Sequence, residues 1–103
     1  MITLVLEQTP NQTLHFSNNG VRYDATIKDI NGIMSVDMSI NLVPVITGHR
    51  IGAGIPFLPY KYIEDGNFMI VTENDELPYW DKFGDTQTLF FVSADEIEAI
   101  RNA

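Results

Sequence analysis

Two histidines, fourteen carboxylates and no cysteine set the chemistry open to this chain. Without thiols there is no disulfide, thiolate metal site, iron–sulfur cluster or cysteine nucleophile. His15 and His49 are the candidate general bases. Either could enter a Ser-His-Asp arrangement on paper, but no G-x-S-x-G elbow presents a serine. Both therefore read as surface or interface histidines. Gly52-Ala53-Gly54-Ile55-Pro56-Phe57 opens like a dinucleotide fingerprint. The third glycine is missing, Pro56 intrudes, and no G-K-S/T follows, so a turn needing positive φ is the better reading. Glu73-Asn74-Asp75-Glu76, with Asp65 and Asp81 nearby in sequence, invites a calcium site. The ligand spacing of an EF-hand loop is absent, which leaves a solvated acidic loop. No carboxylate pair is singled out for glycoside hydrolysis. The expectation is a protein that is not an enzyme, with no catalytic residue, no cofactor and no metal.

Aromatic residues carry more. Tyr60, Tyr62, Tyr79 and Trp80 lie with Phe57 and Phe83 in Pro- and Gly-containing segments. Aromatic rings beside proline in loops anchor protein interfaces, because a ring adds contact area at low entropy cost. The same rings can also fill the core of a small β-domain, and both readings stay open. Tyr60 and Tyr62 would share one face of a strand, with Lys61 opposite.

These side chains need a frame, and the front half supplies one of strands. Leu14 and Phe16 alternate with Thr13, His15 and Ser17. After Asn19-Gly20, Val21, Tyr23, Ala25 and Ile27 alternate with Arg22, Asp24, Thr26 and Lys28. After Asn31-Gly32, Met34, Val36, Met38 and Ile40 alternate with Ser35, Asp37, Ser39 and Asn41. Period-2 alternation buries one face and wets the other. Asn-Gly suits both left-handed positions of a type I′ turn, so the three strands form a β-meander. Gly20 and Gly32 are expected at positive φ.

Leu42-Val43-Pro44-Val45-Ile46 is apolar on both faces. Pro44 cannot donate to a ladder, which points to an edge or a bulge. Gly48, Gly52, Gly54, Pro56 and Pro59 then mark a loop-rich reversal that contains His49. Further strands are expected at Tyr60–Ile63, Phe68–Thr72 and Thr86–Val92, with Asp65-Gly66-Asn67 as a turn and 73–85 as a long acidic connection. Ser93-Ala94-Asp95-Glu96 is a capping box, and a short amphipathic helix is expected over about Ala94–Arg101. Ile97 and Ile100 share one face of it.

The chain of 103 residues is the size of one domain, taken as 1–103, and needs no staple to bury a core. Its formal net charge is -8. Residues 1–63 hold four acids and four bases, so the whole excess lies behind them. Sequence-specific nucleic-acid binding is not expected without clustered cations. The apolar run Ile2–Leu6 has no basic lead-in or cleavage pattern, and nothing approaches the length that spans a bilayer.

Taken in order, several segments resemble the baseplate plug proteins of contractile-tailed bacteriophages. Leu6-Glu7-Gln8-Thr9-Pro10-Asn11-Gln12-Thr13 is similar to that family's opening, and Gly20-Val21-Arg22-Tyr23 to its second strand. Ser35-Val36-Asp37-Met38-Ser39 follows, then Gly48-His49-Arg50-Ile51, Gly54-Ile55-Pro56-Phe57-Leu58 and Tyr60-Lys61-Tyr62. Phe83-Gly84-Asp85 through Ile100 is similar to its ending. The resemblance implies a virion structural protein made in the host cytoplasm. It would plug or adapt the junction of tail tube and central hub, beside other baseplate proteins and copies of itself. The fold expected is mainly β: a small antiparallel β-sandwich or partly open barrel, with an N-terminal β-meander and one short C-terminal helix. The expected protein interface comprises Leu42, Val43, Val45, Ile46, Tyr60, Tyr62, Tyr79, Trp80, Glu73, Asp75 and Glu76. The competing expectation is a small acidic protein-binding module or an inhibitor of a host protein.

Overall fold

The structure is a computed structural model that describes residues 1–59 and 66–101. Among these residues seven strands and one helix follow in order: β1 (Ile2–Leu4), β2 (Asn11–Asn18), β3 (Val21–Ile30), β4 (Ile33–Ile40), β5 (Val43–Arg50), β6 (Gly66–Thr72), β7 (Gln87–Ser93) and α1 (Ala94–Arg101). They form two antiparallel sheets, β2-β3-β4-β5 and β1-β7-β6. The sheets face each other, so the expected β-sandwich is the fold.

The meander forms in the expected register. Asn19 and Gly20 stand at φ 50° and 78°, and Asn31 and Gly32 at 52° and 85°. Both pairs take the left-handed backbone that joins twisted strands. The apolar rows Tyr23, Ala25, Ile27 and Met34, Val36, Met38 are buried against Phe68, Ile70, Leu89 and Phe91 of the other sheet. Aromatic rings pack across the gap: Tyr23 lies 5.1 Å from Phe68 and Phe16 lies 4.8 Å from Phe91, centroid to centroid. Phe57 and Phe83 are buried in the same core.

The outer face of the three-stranded sheet is covered by α1. Ile97 seats on Met69 and Val92 as a second apolar cluster. The expected capping box closes its start: the Ser93 amide donates to Glu96 Oε1 at 3.0 Å, and the Glu96 amide to Ser93 Oγ at 3.2 Å.

Three sequence expectations are corrected. Ile2–Leu4, read only as an apolar run, is a strand paired with Phe91–Leu89. His49, expected in a Gly-rich loop, lies in β5 opposite Val36. β5 runs on through Gly48 because register shifts there absorb two extra residues as bulges. Gly66 and Asn67, expected in a turn, open β6 opposite Ser93 and Val92. A Cβ at Gly66 would lie 2.5 Å from Phe91 Cζ and from the Val92 carbonyl oxygen, so close approach of β7 requires glycine there. The connection 73–85 joins β6 to β7 as expected. It holds short 3-10 turns at Glu73–Asp75 and Trp80–Lys82. The strand expected at Tyr60–Ile63 lies outside the described residues.

Candidate functional site

The outer face of the meander sheet gathers polar side chains that the strand alternation turns away from the core. Asp24 accepts from His15 Nδ1 and from Arg22 Nε, the latter at 3.1 Å. Lys28 Nζ lies 2.6 Å from Asp37 Oδ2, and the Gly48 amide donates to Asp37 Oδ1 at 2.6 Å. The His15 hydrogen bond, with help from Arg22, holds the Asp24 carboxyl below its ordinary value against the opposing effect of burial. Lys28 and then the Gly48 amide do the same to Asp37. The His15–Asp24 couple resembles two members of a triad. Its histidine is 64% exposed on a flat face, and no hydroxyl meets it among the described residues. The couple therefore reads as a cross-strand hydrogen bond. Across residues 11–50, three acids balance three bases, so this sheet is neutral.

The acidic excess belongs to the other layer and its connections. Glu73 and Asp75 are exposed in a turn where Asn74 and Asp75 take φ 57° and 54°. Asn and Asp tolerate that conformation best among residues other than glycine. Glu76 is different. It accepts from Lys82 Nζ at 2.9 Å, from Thr86 Oγ1 at 2.7 Å and from Gln87 Nε2 at 3.4 Å. Lys82 first, then Thr86, holds its carboxyl below the ordinary value. Among the described residues, no three His, Asp or Glu side chains converge as metal ligands. Gly52–Phe57 is no phosphate cradle: it runs along the edge of β6, with the Gly54 amide on the Ile70 carbonyl and the Phe57 amide on the Phe68 carbonyl, both at 2.8 Å.

The expected interface residues divide. Val45 and Ile46 are partly buried against the core. Tyr79 and Trp80 also pack against it, rings 5.8 Å apart, and the Tyr79 hydroxyl donates to Asp29 Oδ2 at 3.3 Å. Leu42 and Val43 stay outside, 70% and 61% exposed. Tyr60 and Tyr62 lie outside the described residues. Sequence reasoning missed that Asn41-Leu42 is itself a two-residue turn, with φ 50° and 69°. Asn41, which follows Asn31 by ten residues as Asn31 follows Asn19 by twelve, was the available signal; the absence of glycine after Asn41 hid it.

A neutral sheet face, an acidic second layer and an exposed apolar turn define a small β-sandwich whose features lie on its faces and edges rather than in a cleft. The chain belongs to a baseplate plug family of bacteriophages: residues 1–95 match the family described as Cyanophage baseplate Pam3 plug gp18. That membership makes it a virion structural protein of the tail baseplate. The comparison with curated proteins finds no match.

Proposed function

We propose that the chain plugs or adapts the junction between tail tube and central hub of a contractile tail, without catalysis, and that it is held there by several other baseplate proteins and copies of itself. The observation that carries the contact surface is Leu42. A leucine at φ 69° costs about 1–2 kcal/mol relative to a residue at ease there. With 70% of its surface exposed, it returns little of that through packing within the chain. Val43 beside it is 61% exposed. A strained, exposed leucine with an exposed valine beside it, at the β4–β5 turn, is explained by a partner that covers both. The other residues of the surface are Val45 and Ile46 behind the turn, the aromatic group Tyr60, Tyr62, Tyr79 and Trp80, and the acids Glu73, Asp75 and Glu76. The acidic layer either meets bases on neighbouring subunits or lines the DNA path, where carboxylates repel phosphate over roughly 8 Å at physiological salt.

The test is Val43→Asp in the phage, with an averaged image of the tail tip. The folded, soluble variant is expected to lose its density from the baseplate, because a buried unpaired carboxylate is costly. Normal occupancy with Asp at this position refutes the contact. Density away from the tube–hub junction in the wild type refutes the proposed place.

A further inference from the structure

The three turns of the meander sheet each open on an asparagine in the left-handed conformation: Asn19-Gly20, Asn31-Gly32 and Asn41-Leu42. All three asparagines are exposed. An exposed asparagine is open to attack on its side-chain carbonyl carbon by the main-chain nitrogen of the next residue. Glycine in that next place has no side chain to hinder the attack. The reaction needs a main-chain amide that is not donating elsewhere and a side-chain carbonyl that is not accepting elsewhere. The three turns differ in this. The Gly32 amide donates to Asp29 Oδ1 at 2.7 Å, and the Tyr79 hydroxyl holds the same carboxylate at Oδ2. Asn41 Oδ1 accepts from the Arg22 amide at 2.9 Å, and Leu42 sets a branched side chain beside its own amide. Among the described residues, neither the Asn19 side chain nor the Gly20 amide has a hydrogen-bond partner. Space does not separate the two glycines: a Cβ would meet nothing within 4 Å at Gly20 or at Gly32.

We infer that Asn19 is a self-modification site of the folded chain, losing its side-chain amide to Gly20, while Asp29 protects Asn31 from the same reaction. The Gly20 nitrogen gives its proton to solvent base and forms a bond to Asn19 Cγ. The Cγ–Nδ2 bond breaks and ammonia leaves, which closes a cyclic imide. Water then adds to either ring carbonyl and opens the ring, giving aspartate or isoaspartate at position 19. One water is consumed and one ammonia released, with no oxidant or reductant. Either product adds one negative charge to a chain that already carries -8. Isoaspartate also lengthens the main chain inside the tight β2–β3 turn, where Asn18 pairs with Val21. The new charge arises at the end of the sandwich that carries Leu42, since the Arg22 amide joins the two turns through Asn41. The inference concerns the isolated chain and does not rest on the baseplate role.

The test is incubation of the purified chain in mildly alkaline buffer, followed by peptide mass spectrometry. Cleavage after Arg22, Lys28 and Arg50 puts Asn19 in one peptide and Asn31 with Asn41 in another, and fragmentation assigns the site within each. In the folded chain Asn19 should convert faster than Asn31 by on the order of tenfold, the effect of one hydrogen bond to a carboxylate. In denaturant the two Asn-Gly pairs should convert at similar rates, because the Asp29 bond is gone. Asn41 should be slow in both conditions. Asp29→Ala should free the Gly32 amide and bring Asn31 of the folded chain up to the Asn19 rate, with Asn19 unchanged. Circular dichroism checks that this variant is folded; if it is not, the wild-type comparison decides alone. Equal rates at Asn19 and Asn31 in the folded wild type overturn the inference. So does a difference that persists in denaturant, or a folded Asp29→Ala chain in which Asn31 stays slow.

Discussion

The side-chain amide of Asn67 binds the backbone of Leu58 as a neighbouring strand would. The Leu58 amide donates to Asn67 Oδ1 at 2.9 Å, and Asn67 Nδ2 donates to the Leu58 carbonyl at 2.9 Å. The same Oδ1 accepts from the Phe68 amide at 2.8 Å. Asn67 is fully buried, so these groups have no water to fall back on. One side chain therefore fastens the 51–59 segment to β6 and seats Phe57 and Leu58 in the core. Asn67→Ala strands the Leu58 amide and carbonyl. An unfolding free energy lower by about 2–4 kcal/mol is expected, read by denaturant titration. A loss below about 1 kcal/mol would mean the segment is held by its apolar side chains and by the Gly54 and Phe57 backbone bonds to β6.

Leu42 follows Asn41 through a turn whose two sister turns end in glycine. Leu42→Gly should raise the stability of the isolated chain by roughly 1 kcal/mol, since relief of the left-handed strain exceeds the added freedom of the unfolded chain. The same variant should incorporate less well into baseplates. A stability gain with normal incorporation would leave Leu42 without a role in contact.

The meander was legible because two independent signals agree in it: strict alternation and Asn-Gly at the right spacing. α1 was legible from its capping box. Elements that depend on distant partners were not. Three residues such as Ile2–Leu4 carry too little periodicity to announce a strand, and only β7 makes them one. Gly66-Asn67 has turn composition, yet a close approach to Phe91 and a bond to Leu58 put both residues in β6. Gly48 suggested a loop, but it serves as the bulge that keeps His49 and Arg50 in β5. The surface residues fared unevenly for the same reason. Apolar composition marked Leu42 to Ile46 as a unit, while the bulge turns Val45 and Ile46 toward the core and leaves Leu42 and Val43 outside. Charge counting grouped Glu73, Asp75 and Glu76, but it could not see that Glu76 already has Lys82, Thr86 and Gln87.

Three paired carboxylates, Glu76 among them, set an acid limit on the fold. Asp24, Asp37 and Glu76 are all held below ordinary values of 3.8, 3.8 and 4.5, chiefly by His15, Lys28 and Lys82 in turn. A lowered folded value means that the unfolded chain binds more protons in that window, so stability rises with pH there. The contribution is complete above the ordinary values and is lost as pH falls through the folded ones. Denaturation midpoints should be flat from neutral pH to about 5 and should fall steeply below about 4. Glu76→Gln should shallow that acid limb. An acid limb unchanged in Glu76→Gln would show that its contacts with Lys82, Thr86 and Gln87 contribute nothing to it.

The exposed pair Glu73 and Asp75 can be separated from Glu76, and the separation decides what the acidic layer does. Glu73→Gln and Asp75→Asn remove two charges while keeping shape, and asparagine tolerates the φ of 54° at position 75. The isolated chain should therefore stay as stable as the wild type, within about 0.5 kcal/mol. Glu76→Gln cuts into the loop's own bonding and should destabilise the chain, so an assembly defect there would be ambiguous. Like charges repeated around a cluster of copies repel, and bases on neighbouring subunits remove that repulsion. Loss of Glu73 and Asp75 is therefore expected to weaken baseplate assembly and to change its dependence on salt. Normal assembly with slower DNA release would assign the pair to the DNA path. Normal assembly with normal DNA delivery would reduce it to a solvated surface and remove both residues from the proposed interface.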